Sequence, residues 1–248
     1  MNDKIKISVV MSVYNEQFLV ERAIESILLQ TFSEFEFIII DDCSTDNSLK
    51  VIKKYKALDK RIVVIENEVN KGLARSLNIA IQKSKSNLIA RMDADDRSYK
   101  NRLQKQFDHL INNKNIDIVG TAVNVIDNDG KAYTGYHFPE NHVEIVEMMK
   151  TKCSLVHPTT MYRKSVIQAV GGYNNELRKG QDYDLWCRLI GRAIFSNLSE
   201  VYLDYYMPKR RPIKKIFYIF WQLIKASPTS LLPWRYLVKY LIPFLKRQ

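Results

Sequence analysis

Cysteine is scarce in this 248-residue chain, and the three present, Cys43, Cys153 and Cys187, are odd in number and far apart. That argues against a disulfide framework or a zinc site and fits a reducing cytoplasm. No apolar stretch free of charge reaches the ~18–20 residues that a helix needs to cross a bilayer. No signal peptide precedes the first strand-like run. No Gly-x-Gly-x-x-Gly follows that run and no Walker-type loop occurs, so the ordinary dinucleotide and P-loop readings lack support. Acidic residues are missing altogether after Asp204.

That last absence sets the charge distribution. The net charge is +11, yet ten of the 38 lysines and arginines, and none of the 27 acids, lie in 209–248. The tail thus carries +10, while the body holds 28 basic against 27 acidic residues, a net of +1. A nucleic-acid-binding face should show its own basic excess on the body, so no nucleic-acid partner is expected. In the tail, Ile213, Ile216, Phe217, Phe220 and Ile224 share one helical face, with Lys214, Lys215 and Lys225 off it. Trp234, Tyr236 and Tyr240 stand beside Arg235 and Lys239 in the same style. Basic amphipathic helices with aromatics lie flat in a membrane interface, each cation adding on the order of 1 kcal/mol near anionic lipid. A helical tail on an anionic membrane surface is the reading. Packing on the body or on a partner chain is the alternative.

Ahead of the tail, apolar runs and helical spacings alternate. Residues 5–13, 35–40, 62–65 and 87–90 read as buried strands. Between them come helical patterns over 16–30, from a cap in 44–47 to 57, and over 72–83. Such alternation implies a parallel sheet covered on both faces. The second half is mixed, with helices over 99–113, 141–150, 165–170 and 182–191. Strands are expected over 117–126 and 131–138, about the turn Asn128-Asp129-Gly130, then over 159–163 and 200–206. The expectation is one α/β domain over 1–208. Its first half, 1–98, binds one ligand, and its second half, 99–208, completes the site.

The chemistry gathers at Arg91-Met92-Asp93-Ala94-Asp95-Asp96. Three carboxylates within four residues stand where a strand ends, the edge at which open α/β sheets bind ligands. Clustered carboxylates repel one another unless a cation sits between them, and hard oxygen ligands suit magnesium or manganese. Such ions take their remaining oxygens from water and substrate phosphates. A metal–diphosphate site is one reading of the triplet; an acidic surface loop is the other.

Val10-Met-Ser-Val-Tyr-Asn-Glu16, Ile40-Asp-Asp-Cys-Ser-Thr-Asp46, Asn70-Lys-Gly72 with Asn78, and Met92-Asp-Ala-Asp-Asp96 together resemble the family 2 glycosyltransferases. Arg102-Leu103 with Gln106, His157-Pro158, Gly171-Gly-Tyr173 and Gln181-Asp-Tyr-Asp-Leu-Trp186 followed by Arg188 extend the match, in the family's order, over about residues 5–206. The resemblance implies a GT-A fold with a Rossmann-like nucleotide-binding half and a parallel-to-mixed central sheet. It also implies an inverting, Mn2+- or Mg2+-dependent transfer from a nucleotide-diphosphate sugar, UDP- or dTDP-type, to an acceptor hydroxyl. With the basic tail it suggests a glycan or lipid-linked acceptor in polysaccharide or O-antigen assembly, on the inner face of the cell membrane.

On that resemblance Tyr14, Glu16, Asp41 and Asp42 are assigned to the nucleotide, although the two aspartates could simply cap the following helix. Arg75 is either a phosphate-side cation or a solvated helix residue. Asp93 is expected to meet the ribose or the metal and Asp95 to ligate the metal. Asp96 stands behind them or caps a helix ahead of Tyr99. His157 is a candidate contact for metal or diphosphate, with a structural histidine as the alternative. Asp182 matches the family's catalytic aspartate, the general base; the residue before it is commonly Glu, and here it is Gln181. Two other classes compete, namely a non-catalytic nucleotide-sugar-binding subunit and a sugar nucleotidyltransferase. The second would normally carry a Gly-rich basic loop where this chain has Tyr14-Asn15-Glu16.

Overall fold

The structure, a computed structural model, describes residues 5–127 and 130–206. The basic tail expected over 209–248, and Asn128-Asp129 of the hairpin turn, lie outside the described residues.

Four parallel strands form the first half: β1 (Ile7–Val13), β2 (Phe35–Asp41), β3 (Ile62–Glu66) and β4 (Leu88–Asp93). Helices cover both faces, so β1 and β2 are buried almost without interruption instead of alternating. The helices between them are α1 (Val20–Leu28), α2 (Ser48–Leu58) and α3 (Leu73–Lys83). In α1 the i, i+3, i+4, i+7 set Val20, Ala23, Ile24 and Ile27 is fully buried against the sheet. Cutting Ile24 back to alanine should cost about 2–5 kcal/mol. The register sets the site: Val13 pairs with Asp41 and Ser12 with Asp93, so the two acids flank the end of β1.

The second half adds β5 (Arg97–Ser98), α4 (Arg102–Asn112), β6 (Ile118–Ile126), β7 (Ala132–Tyr136) and α5 (His142–Met149). A 3-10 turn, β8 (Met161–Arg163), α6 (Lys164–Ala169), α7 (Gln181–Leu189) and β9 (Phe195–Tyr206) complete it. One sheet runs β3-β2-β1-β4-β8-β6-β9-β5, with β7 on β6. It changes from parallel to mixed at β8, which lies antiparallel to both β4 and β6.

Several bounds differ from the sequence reading. β4 runs through Arg91 to Asp93 because the charged Arg91 is buried in it, 1% exposed. The first helix starts at Val20, after a turn in which Glu16 O accepts from Leu19 and Val20. β9 begins five residues early because Phe195–Leu198 pair in parallel with Ile118–Thr121 of β6. No helix among the described residues is long and apolar enough to cross a membrane.

Candidate functional site

A cleft of about 430 Å3 opens at the C-terminal ends of β1, β2 and β4, within the size range of small-molecule sites. Tyr14 and Glu16 line it from the end of β1, Asp42 from β2, and Asp93 and Asp95 from β4. Two backbones bend sharply to make this rim, with Asn15 at φ 55° and Cys43 at φ 62°, both left-handed. Asn15 holds the two loops together: its N–H donates to Ser44 Oγ and its Oδ1 accepts from Thr45 N.

Asp41 and Asp42 are both 2% exposed but differ in what they do. Asp42 accepts from Lys71 N, Gly72 N and Asn67 Nδ2, each at 2.8 Å. The backbone donors ahead of α3 are thus engaged with Asp42. Asp41 Oδ2 accepts from Ser44 N, while its buried Oδ1 has no protein partner. Arg75 reaches across to Glu176 at 3.3 Å, half exposed. The cation that lines the cleft is instead Arg178, beside Gly72 and Asn70.

The carboxylates of Asp93, Asp95 and Asp96 can bring ligand oxygens within 4.8 Å of one another. Burial, then the charge of Asp93, pushes the Asp95 carboxyl up to about 6. Asp96 is fully buried and pushed up by the same causes together with Asp95. Its Oδ1 accepts from Tyr206 N and its Oδ2 has no partner, so it does not cap α4, whose N-cap is Asn101. Glu16 is pushed up to about 7 by burial and then by Asp95, Asp93 and Asp46. A hard divalent cation fits this set, since it would neutralise the repulsion and meet the partnerless Asp96 oxygen.

Arg91, passed over in the sequence reading, lies at the centre. Its buried guanidinium pairs with Asp93, while Nε and Nη1 have no partner. Its charge acts on Asp96, His157, Tyr162, Tyr173 and Asp182. The signal available in the sequence was a lone charge inside the apolar run 88–92.

Asp182 occupies the first turn of α7. Burial raises its carboxyl and Arg91 opposes that, while the charge of Asp93 reaches it as well. It does not line the cleft, of whose lining residues Asp93 acts on it by charge. Asp184 points elsewhere and pairs with Arg188 at 2.8 Å. Gln181 is buried with its Oε1 unpaired. Gly172, at φ +75°, packs so tightly on α3 that a Cβ would stand 2.5 Å from Asn78 Oδ1. Asn78 in turn holds Tyr173 by its backbone N–H and C=O. The hydroxyl of Tyr173 lies 2.7 Å from His157 Nε2. His157 stands outside the acidic trio, packed edge-on to Trp186 and held well below the ordinary imidazole range by burial. Its Nε2 is engaged with the Tyr173 hydroxyl.

The sequence profile of "Glycosyl transferase family 2" matches residues 8–171. Among relatives, the O-antigen biosynthesis glycosyltransferase WbnJ of Escherichia coli is 38% identical over 209 residues, 80% of this chain and 78% of its own. The putative glycosyltransferase EpsE of Bacillus subtilis is 37% identical over 193 residues, 76% of this chain and 68% of its own. In structure, S. aureus TarS 1–349 in complex with UDP-GlcNAc superimposes with a TM-score of 0.68 at 22% identity, covering 90% of this chain and 67% of that one. Against the longer S. aureus TarS chain the match spans 40% of its length. The fold is thus GT-A, and the nucleotidyltransferase and non-catalytic readings give way. The chain belongs to glycosyl transferase family 2 and is a glycosyltransferase.

Proposed function

We propose that this enzyme is a metal-dependent inverting glycosyltransferase that moves a sugar from a UDP- or dTDP-type donor to an acceptor hydroxyl. What carries the reading is the juxtaposition of the two acidic groups. The Asp93–Asp95–Asp96 corner borders a nucleotide-sized cleft, and Asp182 lies within the field of Asp93 and Arg91. The TarS complex named with UDP-GlcNAc and the O-antigen title of WbnJ support donor and pathway class.

Tyr14, 47% exposed at the rim, offers a ring face to the base, and the free Asp41 Oδ1 an acceptor for a base N–H. Asp95, Asp93 and Asp96 would hold Mn2+ or Mg2+, which neutralises the leaving diphosphate when bound. Asp182 accepts the acceptor hydroxyl's proton as that oxygen attacks the anomeric carbon opposite the diphosphate. The C–O bond to the diphosphate breaks, and the nucleoside diphosphate departs with its electron pair. A carboxyl raised by burial is a stronger base once ionised, and the Arg91 charge favours its ionised form.

The acceptor is a glycan or lipid-linked glycan, and the basic segment 209–248 holds the protein on the inner, anionic face of the cell membrane. The halves 1–98 and 99–208 serve donor and acceptor respectively. A panel of nucleotide sugars incubated with Mn2+ tests this. One UDP- or dTDP-sugar should be consumed in a metal-dependent manner; consumption of none, or of GDP-sugars with EDTA present, would reject it.

A further inference from the structure

We propose that Arg22, clamped by Tyr206, is a positioning residue for the cation-binding corner, an inference that rests on the metal reading above. Arg22 lies on α1, seventy-three residues from Asp95, yet its Nη2 donates to the Asp95 carbonyl at 2.6 Å. Its guanidinium carbon stands 3.8 Å over the Tyr206 ring, a stacked cation–π contact. Tyr206 also donates its backbone N–H to Asp96 Oδ1 at 2.9 Å. Two adjacent acids are therefore gripped from outside, Asp95 by its backbone and Asp96 by its side chain. Both grips converge on Tyr206.

This arrangement does something that stability alone does not require. Asp93, Asp95 and Asp96 repel one another, and without restraint the short Asp93–Asp96 loop would splay to separate them. Arg22 brings a positive charge to the back of that loop, and that charge acts on Asp95. It does so through the carbonyl, leaving the carboxylate oxygens toward the cleft free for an ion. The planar fork suits this task; a lysine would keep the charge but lose the flat stack and the fixed direction of the N–H. The end of β9, 110 residues from Asp96, thereby becomes part of the site's support.

The test is Mn2+ binding to the full chain without donor, read by electron paramagnetic resonance, alongside donor kinetics. Arg22→Ala and Arg22→Lys should each weaken Mn2+ by about tenfold or more, the loss expected for a hydrogen bond from a charged group. The Mn2+ concentration for half-maximal rate should rise in step, with kcat at saturating Mn2+ changed less than about threefold. Tyr206→Leu should weaken Mn2+ in the same direction, and Tyr206→Phe, which keeps the ring, should restore it. A folded Arg22→Lys that binds Mn2+ as tightly as wild type would overturn the proposal. Absence of Mn2+ binding by the wild type would instead overturn the metal reading on which it rests.

Discussion

Replacing Asp95 by asparagine should make the metal-free protein more stable and the metal-loaded protein less so. Raising its carboxyl from 3.8 to about 6 corresponds to a penalty of about 3 kcal/mol on the charged form. Water in the open cleft reduces that to ~1–2 kcal/mol. Because the folded value lies above the unfolded one, the penalty is absent below pH 3.8, grows through the interval and is complete above about pH 6. Asp95→Asn should therefore match wild type near pH 4 and exceed it at pH 7.5. Saturating Mn2+ should invert the order, since an ion at 100 times its Kd stabilises wild type by about 2.7 kcal/mol. At about 2–4 °C per kcal/mol for a chain of this size, thermal unfolding at two pH values with and without Mn2+ resolves both effects. A variant that is less stable than wild type at pH 7.5 without metal, or that Mn2+ stabilises as much, would refute the reasoning.

Three further outcomes are expected. Asp182→Asn should retain donor affinity and lose at least ~10²-fold in turnover; equal loss of donor binding in a titration with UDP would count against a base. Gly172→Ala should cost about 1–3 kcal/mol in urea unfolding, because it meets both a left-handed backbone and Asn78 Oδ1 at 2.5 Å. Removing 209–248 should release the protein from anionic vesicles in a sedimentation assay, and co-sedimentation as before would dismiss the membrane role of the tail.

The sequence displayed the first half well, because buried parallel strands such as β1 and β2 are largely apolar runs that give way to polar residues. It displayed the candidate site carboxylates for the same reason, since Asp41 stands where β2 stops, and Asp93 and Asp95 where β4 stops. What it concealed depended on distant partners. Arg91 ended the expected strand by its charge, yet pairing with Asp93 keeps it buried. Asp42 holds Lys71 N, Gly72 N and Asn67 Nδ2, partners that the motif around it does not announce. Asp96 finds its partner 110 residues away at Tyr206, a separation that no local pattern encodes. β5, two residues long, carries no periodicity to read.

Anomalous diffraction from crystals grown with Mn2+ and UDP addresses the central claim most directly. The account predicts one Mn2+ peak bonded to carboxylates of the Asp93–Asp96 corner and to the diphosphate, with Asp182 facing the vacated sugar position. UDP bound in the cleft without an ion, or an ion held away from that corner, would contradict it.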